Sequence, residues 1–252
     1  MAVSGGKHIL HASGERLKVM PVFGTRPEAI KMVPVVKALE EDPRFAVITV
    51  VTAQHREMLD QVLALFEISP AHDLDLMRAG QSLTDVTTRV LDGLGRILSG
   101  GEPDIVLVHG DTTTTFAAAL AAFYRRIPVG HVEAGLRTGD RYQPFPEEIN
   151  RRLTGALAEL HFAPTAAAAD NLVREGVDAA RIFVTGNTVV DALQMCRSRL
   201  AAGGTYGPRV VSTDRPYLLV TVHRRENWGE RLKSICRAIE RILEDHPDLD
   251  LI

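Results

Sequence analysis

Cysteine is nearly missing from this chain. Its two copies among 252 residues, Cys196 and Cys236, lie far apart. They form no metal or redox motif, so neither a disulfide framework nor a thiolate metal site is expected. An excess of one charge is also missing. The 29 Lys and Arg against 32 Asp and Glu leave a net charge of −3, which gives no nucleic-acid-binding surface, although a local basic pocket for phosphate is compatible with it. No apolar run approaches the ~18 residues of a membrane span. The opening MAVSGGKHILHASGER has no apolar core of signal-peptide length, and residues 1–16 read as a loose extension. A cytoplasmic protein with reduced thiols, no nucleic acid and no membrane partner is expected. Neither G-x-G-x-x-G nor a P-loop occurs, which removes the commonest dinucleotide and triphosphate signatures.

The hydrophobic share of 45% and the charged share of 24% are those of an ordinary globular protein. Periodicity reads as alternating strand and helix from LKVMPVF (17–23) and PEAIKMVPVVKALEE onward, with FAVITVVTA as one second strand. Near-continuous apolar strands separated by helices predict an α/β fold, a parallel sheet covered on both faces. Pro21 inside the first strand and Pro34 inside the first helix run against the pattern. After Asp191 the texture changes, and AAGGTYGPRVVSTDRP (201–216) reads as a connection between domains. Residues 17–190 are therefore expected to form a first domain and 191–252 a connection plus a second, unfinished one. That second domain is read as the strand YLLVTVHRREN, the helix GERLKSICRAIERILEDH and the strand start DLDLI.

The chemistry-bearing residues cluster after strands, where ligands bind in open α/β sheets. In GTRPEAIK (24–31), Thr25 and Glu28 have capping-box spacing, which leaves Arg26 and Lys31 unexplained. A helix N-terminus with those two cations makes a diphosphate receptor. AQHRE supplies Gln54 and His55, which a solvated helix start also explains. VHGDTTTT (108–115) places Asp111 and four threonines at a strand-to-helix turn. Capping uses one such residue, not five. HVEAGLRT delivers Glu133 at the end of an apolar strand, which is costly unless the carboxylate is paired or used. PFPEEINR contributes Glu147, which also reads as an acid suited to a helix's first turn. TVHRREN (221–227), after an apolar strand, brings His223 and Arg224, alternatively an ordinary charged turn. Three crowded carboxylates, Asp111, Glu133 and Glu147, beside two cations suit proton chemistry on a phosphorylated or nucleotide-linked ligand.

Taken in order, GTRPEAIKM, TAQHREMLDQV, HGDTTTT, PVGHVEAGLRTGD, PFPEEINRR, VTGNTVVDAL and TVHRREN resemble the non-hydrolysing UDP-N-acetylglucosamine 2-epimerases of bacteria, from about Leu17 to the last residue. The resemblance implies two Rossmann-like doubly wound domains of the glycosyltransferase-B type, with the second incomplete in this chain. It implies interconversion of UDP-N-acetylglucosamine and UDP-N-acetylmannosamine, through elimination of UDP to a bound 2-acetamidoglucal and re-addition. No cofactor or metal is implied, and a homodimer serving polysaccharide synthesis is. Asp111, Glu133 and Glu147 match the family's catalytic acids, and His223 its functional histidine. Arg26 and Lys31 match nucleotide-binding cations, with Gln54, His55 and Arg224 in substrate-binding positions and the threonines after Asp111 cradling the ligand. Gly80 stands where some members carry an arginine for a second, activating substrate molecule. Alternatives are a hydrolysing relative that releases UDP and N-acetylmannosamine, and an inactive UDP-sugar-binding fragment. Because family members continue past Ile252, little activity is expected of these 252 residues alone.

Overall fold

Runs of β-branched and aliphatic residues build the parallel strands expected of them. The computed structural model describes residues 15–53, 56–76, 78, 80–101, 103–203, 214–222 and 228–252. The chain divides into two compact units, up to Ala202 and from Gly203 onward.

In the first unit, β1 (Leu17–Phe23), β2 (Phe45–Val47), β3 (Val50–Val51), β4 (His72–Asp73), β5 (Ile105–His109), β6 (Val129–Val132), β7 (Leu160–Ala163) and β8 (Ile182–Val184) form one sheet. Its order is β4-β3-β1-β5-β6-β7-β8, with β2 also on β1. Every pairing is parallel. The helices are α1 (Arg26–Glu41), α2 (Arg56–Leu65), α3 (Leu83–Gly100), α4 (Thr113–Tyr124), α5 (Glu147–Leu157), α6 (Ala166–Arg174) and α7 (Val189–Ala201). One core cluster joins Met32, Val33 and Val36 of α1 and Leu59 of α2 to Phe23 and Val132. A second, on the opposite face, joins Val90, Leu94 and Leu98 of α3 and the alanines of α4 to Met20, Val106 and Val108. The Ala-rich run of α4 lets that helix lie close on the sheet, with Ala117, Ala119 and Ala122 fully buried.

The strand order places the site. From β1 the chain builds outward through β2, β3 and β4, then returns to the other flank of β1 with β5. The carboxyl ends of β1 and β5 therefore bound the switch-point crevice of a doubly wound sheet. GTRPE follows the first strand and GDTTTT follows the second.

Three expectations need correction. The stretch FAVITVVTA forms two strands, not one, because the ladder breaks opposite Pro21. That proline has no N–H to give, and pairing resumes only at Val22↔Val50. The helix α1, by contrast, runs on through Pro34 to Glu41. The two-residue β4 was not predicted, since it is too short to show any period. The change of texture at Asp191 does not end the first unit. Helix α7 continues to Ala201 and packs Met195 and Cys196 on the first core cluster.

The second unit holds β9 (Tyr217–Leu218), α8 (Glu230–Asp245) and β10 (Asp250–Leu251), with the two strands paired in parallel. Of the stretch read as the strand YLLVTVHRREN, Tyr217–Leu218 forms strand among the described residues, and residues 223–227 lie outside them. A strand with one two-residue neighbour has few ladder bonds to make. No helix among the described residues is long and apolar enough to cross a membrane.

Candidate active site

The turn after β1 begins with Gly24, where a side chain would run into the hydroxyls of Thr52 and Thr114. Thr25 caps α1, and with Glu28 it completes the capping box read from the spacing. Glu28 does more than cap. Its carboxylate is buried, with Oε2 accepting from the N–H groups of Gly24 (3.1 Å) and Thr25 (2.8 Å). Its Oε1 accepts from the Thr112 hydroxyl at 2.7 Å, and the Thr115 hydroxyl lies 3.1 Å away. The single proton of Thr115 goes to the nearer acceptor, the His109 carbonyl oxygen at 2.6 Å. Glu28 thus latches the loop after β1 to the loop after β5.

This latch answers most of the threonine run. Thr112, not Asp111, is the N-cap of α4, accepting from the Thr115 N–H. Thr113, Thr114 and Thr115 are buried, and Thr114 meets Thr52 at 3.2 Å. Only Thr112 of the four lines the cavity described below, so the expectation that all of them cradle a ligand is corrected: three serve the fold. Asp111 is left without a capping duty.

Asp111 is held from two sides. The turn at Gly110 (φ 68°) is fixed by His131, whose Nε2 lies 2.7 Å from the Gly110 carbonyl oxygen. Burial pushes the His131 imidazole down to about 3, so the ring is neutral and Nε2 carries the donated proton. From α5, Arg151 pairs with Asp111 Oδ2 at 2.9 Å and Asn150 Nδ2 donates to its carbonyl oxygen at 3.0 Å. The Asp111 carboxyl is nevertheless pushed up to about 6. Burial is the largest cause; Glu147, Glu133 and Glu28 add to it and Arg151 opposes it. An ion pair and a raised carboxyl are at odds, and desolvation outweighs the single guanidinium.

Glu133 follows β6 in the left-handed region, with φ 61°, a conformation that costs a non-glycine residue of order 1 kcal/mol or more. Lys31 of α1 holds both its oxygens, at 2.6 and 2.7 Å, and Asn187 Nδ2 donates to Oε2 at 2.8 Å. The turn closes at Gly135 (φ 86°), where a Cβ would drive into the Ala168 carbonyl oxygen of α6. Gly135→Ala is expected to destabilise the fold by at least ~2 kcal/mol, combining the left-handed penalty with a backbone clash. Chemical denaturation of the two proteins measures it, and equal midpoints would remove the constraint.

Arg26, Lys31, Asp111 and Glu133 line one cavity of about 420 Å³, together with Thr112 and His109. Arg26 is exposed at the N-terminus of α1 and pairs with no acid among the described residues. Glu147, in the first turn of α5, is not part of the lining; its charge reaches Asp111 from the side. Gln54, His55, His223 and Arg224 lie outside the described residues. Among the described residues no cluster of His, Cys, Asp and Glu is built to hold a metal ion. Sequence reading missed Arg151 and Asn187 as partners of the acids. Both stand inside quoted motifs, PFPEEINRR and VTGNTVVDAL, but pairing across the sheet leaves no local spacing to detect.

A family model described as UDP-N-acetylglucosamine 2-epimerase matches residues 37–252. Over 242 residues the chain is 55% identical to the UDP-N-acetylglucosamine 2-epimerase of Escherichia coli O157:H7, covering 94% of this chain and 64% of that protein. It thus spans less than two thirds of that relative's length. The crystal structure of UDP-GlcNAc 2-epimerase from Neisseria meningitidis bound to UDP-GlcNAc is similar with a TM-score of 0.82 at 47% identity, covering 93% of this chain and 65% of that one. A lipopolysaccharide outer core galactosyltransferase in its apo form, 14% identical with a TM-score of 0.56, is alike in fold alone. The fold class is α/β, with Rossmann-like doubly wound domains of the glycosyltransferase-B type.

Proposed function

The chain belongs to the UDP-N-acetylglucosamine 2-epimerase family, and on that premise we propose that the full-length protein interconverts UDP-N-acetylglucosamine and UDP-N-acetylmannosamine. A carboxylate takes the proton from carbon 2 as the bond from carbon 1 to the diphosphate oxygen breaks. UDP leaves with the electron pair, and 2-acetamidoglucal remains bound. The diphosphate oxygen then adds back to carbon 1 while carbon 2 receives a proton on the opposite face. Asp111, Glu133 and Glu147 are the proton-handling groups, and His223 is a further catalytic residue. Arg26 and the N-terminus of α1 receive the diphosphate with Lys31, and Gln54, His55 and Arg224 contact substrate. A cytoplasmic homodimer supplying polysaccharide synthesis completes this reading.

One observation carries it. At the switch point Asp111 is freed from capping by Thr112, raised to about 6, and placed in one cavity with the Lys31–Glu133 pair. A carboxyl titrating near neutrality is suited to giving and taking protons.

The test is incubation of full-length protein with UDP-N-acetylglucosamine in heavy water, with products followed by NMR. UDP-N-acetylmannosamine carrying deuterium at carbon 2 is expected. Free N-acetylmannosamine and UDP would indicate the hydrolysing course instead, and no turnover with intact UDP binding would leave a binding protein. Arg26→Ala is expected to weaken UDP binding about 10- to 100-fold, the worth of a charge-assisted contact of ~1.5–3 kcal/mol. Unchanged affinity by calorimetric titration would take Arg26 out of the diphosphate site.

A further inference from the structure

His109 ends β5 inside the cavity wall and is only 3% exposed. Neither of its ring nitrogens has a hydrogen-bond partner among the described residues. A buried polar group without a partner is costly, so this one calls for an explanation. The neighbouring histidine of the sheet, His131, spends its Nε2 proton on the Gly110 carbonyl oxygen, whereas His109 Nε2 stands 3.8 Å from Glu133 Oε2. Burial, with the charge of Lys31 beside it, holds the His109 imidazole down at about 3. The ring is therefore neutral, with one N–H and one lone pair.

Glu133 is held at present by Lys31, which grips both of its oxygens. The same lysine lies in the cavity beside the N-terminal turn of α1, where an anion would sit. A diphosphate there competes with Glu133 for the ammonium group, and two carboxylate oxygens cannot match its charge. When Lys31 turns to the diphosphate, Glu133 loses its main cationic partner. Among the described residues, the Asn187 amide at 2.8 Å is then the hydrogen-bond donor that remains to it.

We propose that His109 is a positioning residue: once bound diphosphate draws Lys31 away, its Nε2–H closes the 3.8 Å gap and hydrogen-bonds the Glu133 carboxylate, holding it in place without adding a charge. A neutral donor steadies the carboxylate while leaving it basic, where a lysine would neutralise it. Nucleotide binding and readiness of the proton acceptor are thereby coupled through one lysine and one histidine. This inference rests on the reading of the cavity as a nucleotide-diphosphate site.

The test uses the full-length protein with UDP and UDP-N-acetylglucosamine as probes. His109→Phe keeps the ring volume and removes the donor. It is expected to lower kcat at least 10-fold with the Kd for UDP within about twofold, and His109→Gln, which restores an N–H, to recover several-fold over the phenylalanine variant. In a Glu133→Gln background the His109→Phe change is expected to cost less than twofold further in deuterium exchange at carbon 2. In the native protein, ¹⁵N-labelled imidazole is expected to show its Nε2 proton shifting downfield on saturation with UDP, a readout that survives even if the phenylalanine variant does not fold. A full additional loss in the Glu133→Gln background, or an imidazole signal unmoved by bound UDP, overturns the positioning role while leaving the nucleotide site intact. Failure of UDP to bind the native protein overturns the reading of the cavity and this inference with it.

Discussion

Asp111→Asn is expected to lower turnover by roughly 100-fold or more, the scale of a lost acid–base group, while the protein stays folded. Asparagine keeps the size of the side chain and can still accept from Arg151, which pairs with Asp111 at 2.9 Å, but it cannot take up a proton. Because free-enzyme titrations appear in kcat/KM, native protein is expected to show a limb near pH 6, where the Asp111 carboxyl has been pushed. Loss of rate below that pH marks Asp111 as the base, loss above it as the acid, and the variant lacks the limb. Stability carries the same titration. The carboxyl is raised from an ordinary 3.8 to about 6 in the folded state. Across that window the folded protein holds a proton that the unfolded chain has released. The contribution of Asp111 is therefore full below about pH 4 and is lost as the pH rises through 6. Allowing for its partial exposure, the stability of native protein relative to Asp111→Asn should fall by about 1–2 kcal/mol between pH 4 and 7.5. Urea denaturation at the two pH values measures this. A near-native rate in the folded variant would return Asp111 to a structural role.

Glu28→Ala is expected to be the most destabilising single change at the site, by about 3 kcal/mol or more. The carboxylate is only 2% exposed and accepts from two backbone N–H groups and the Thr112 hydroxyl. Hydrogen bonds to a charged group are worth ~1.5–3 kcal/mol, and each buried donor left unsatisfied costs ~1–3 kcal/mol. Part of this is recovered by water entering from the cavity that Glu28 lines, which keeps the sum well below simple addition. The loops after β1 and β5 would also lose their tie, so UDP affinity should fall with stability. Glu28→Gln keeps one acceptor oxygen and is expected to lose roughly half as much. Thermal and urea unfolding decide it: a loss under 1 kcal/mol for the alanine variant would show that the latch is dispensable.

The sequence by itself determined the elements whose signals are local. The apolar first strand and the Thr25–Glu28 capping box depend on neighbours a few residues away, and both stand where their spacing placed them. It also determined that acids and cations gather after strands, because that follows from chain order in a parallel sheet. It could not determine how those groups are shared out. Lys31 and Arg26 are five residues apart and looked equivalent, yet one grips Glu133 and the other stands exposed at the rim. Asp111 and Thr112 both looked like caps, and the tertiary structure gave the cap to the threonine and the buried, proton-holding role to the acid. The partners that decide these roles, Glu28 on Thr112, Arg151 on Asp111, Asn187 on Glu133 and His131 on Gly110, come from 21 to 84 residues away. Desolvation and pairing depend on distance in space, and the doubly wound sheet sets that distance by bringing β1 and β5 side by side.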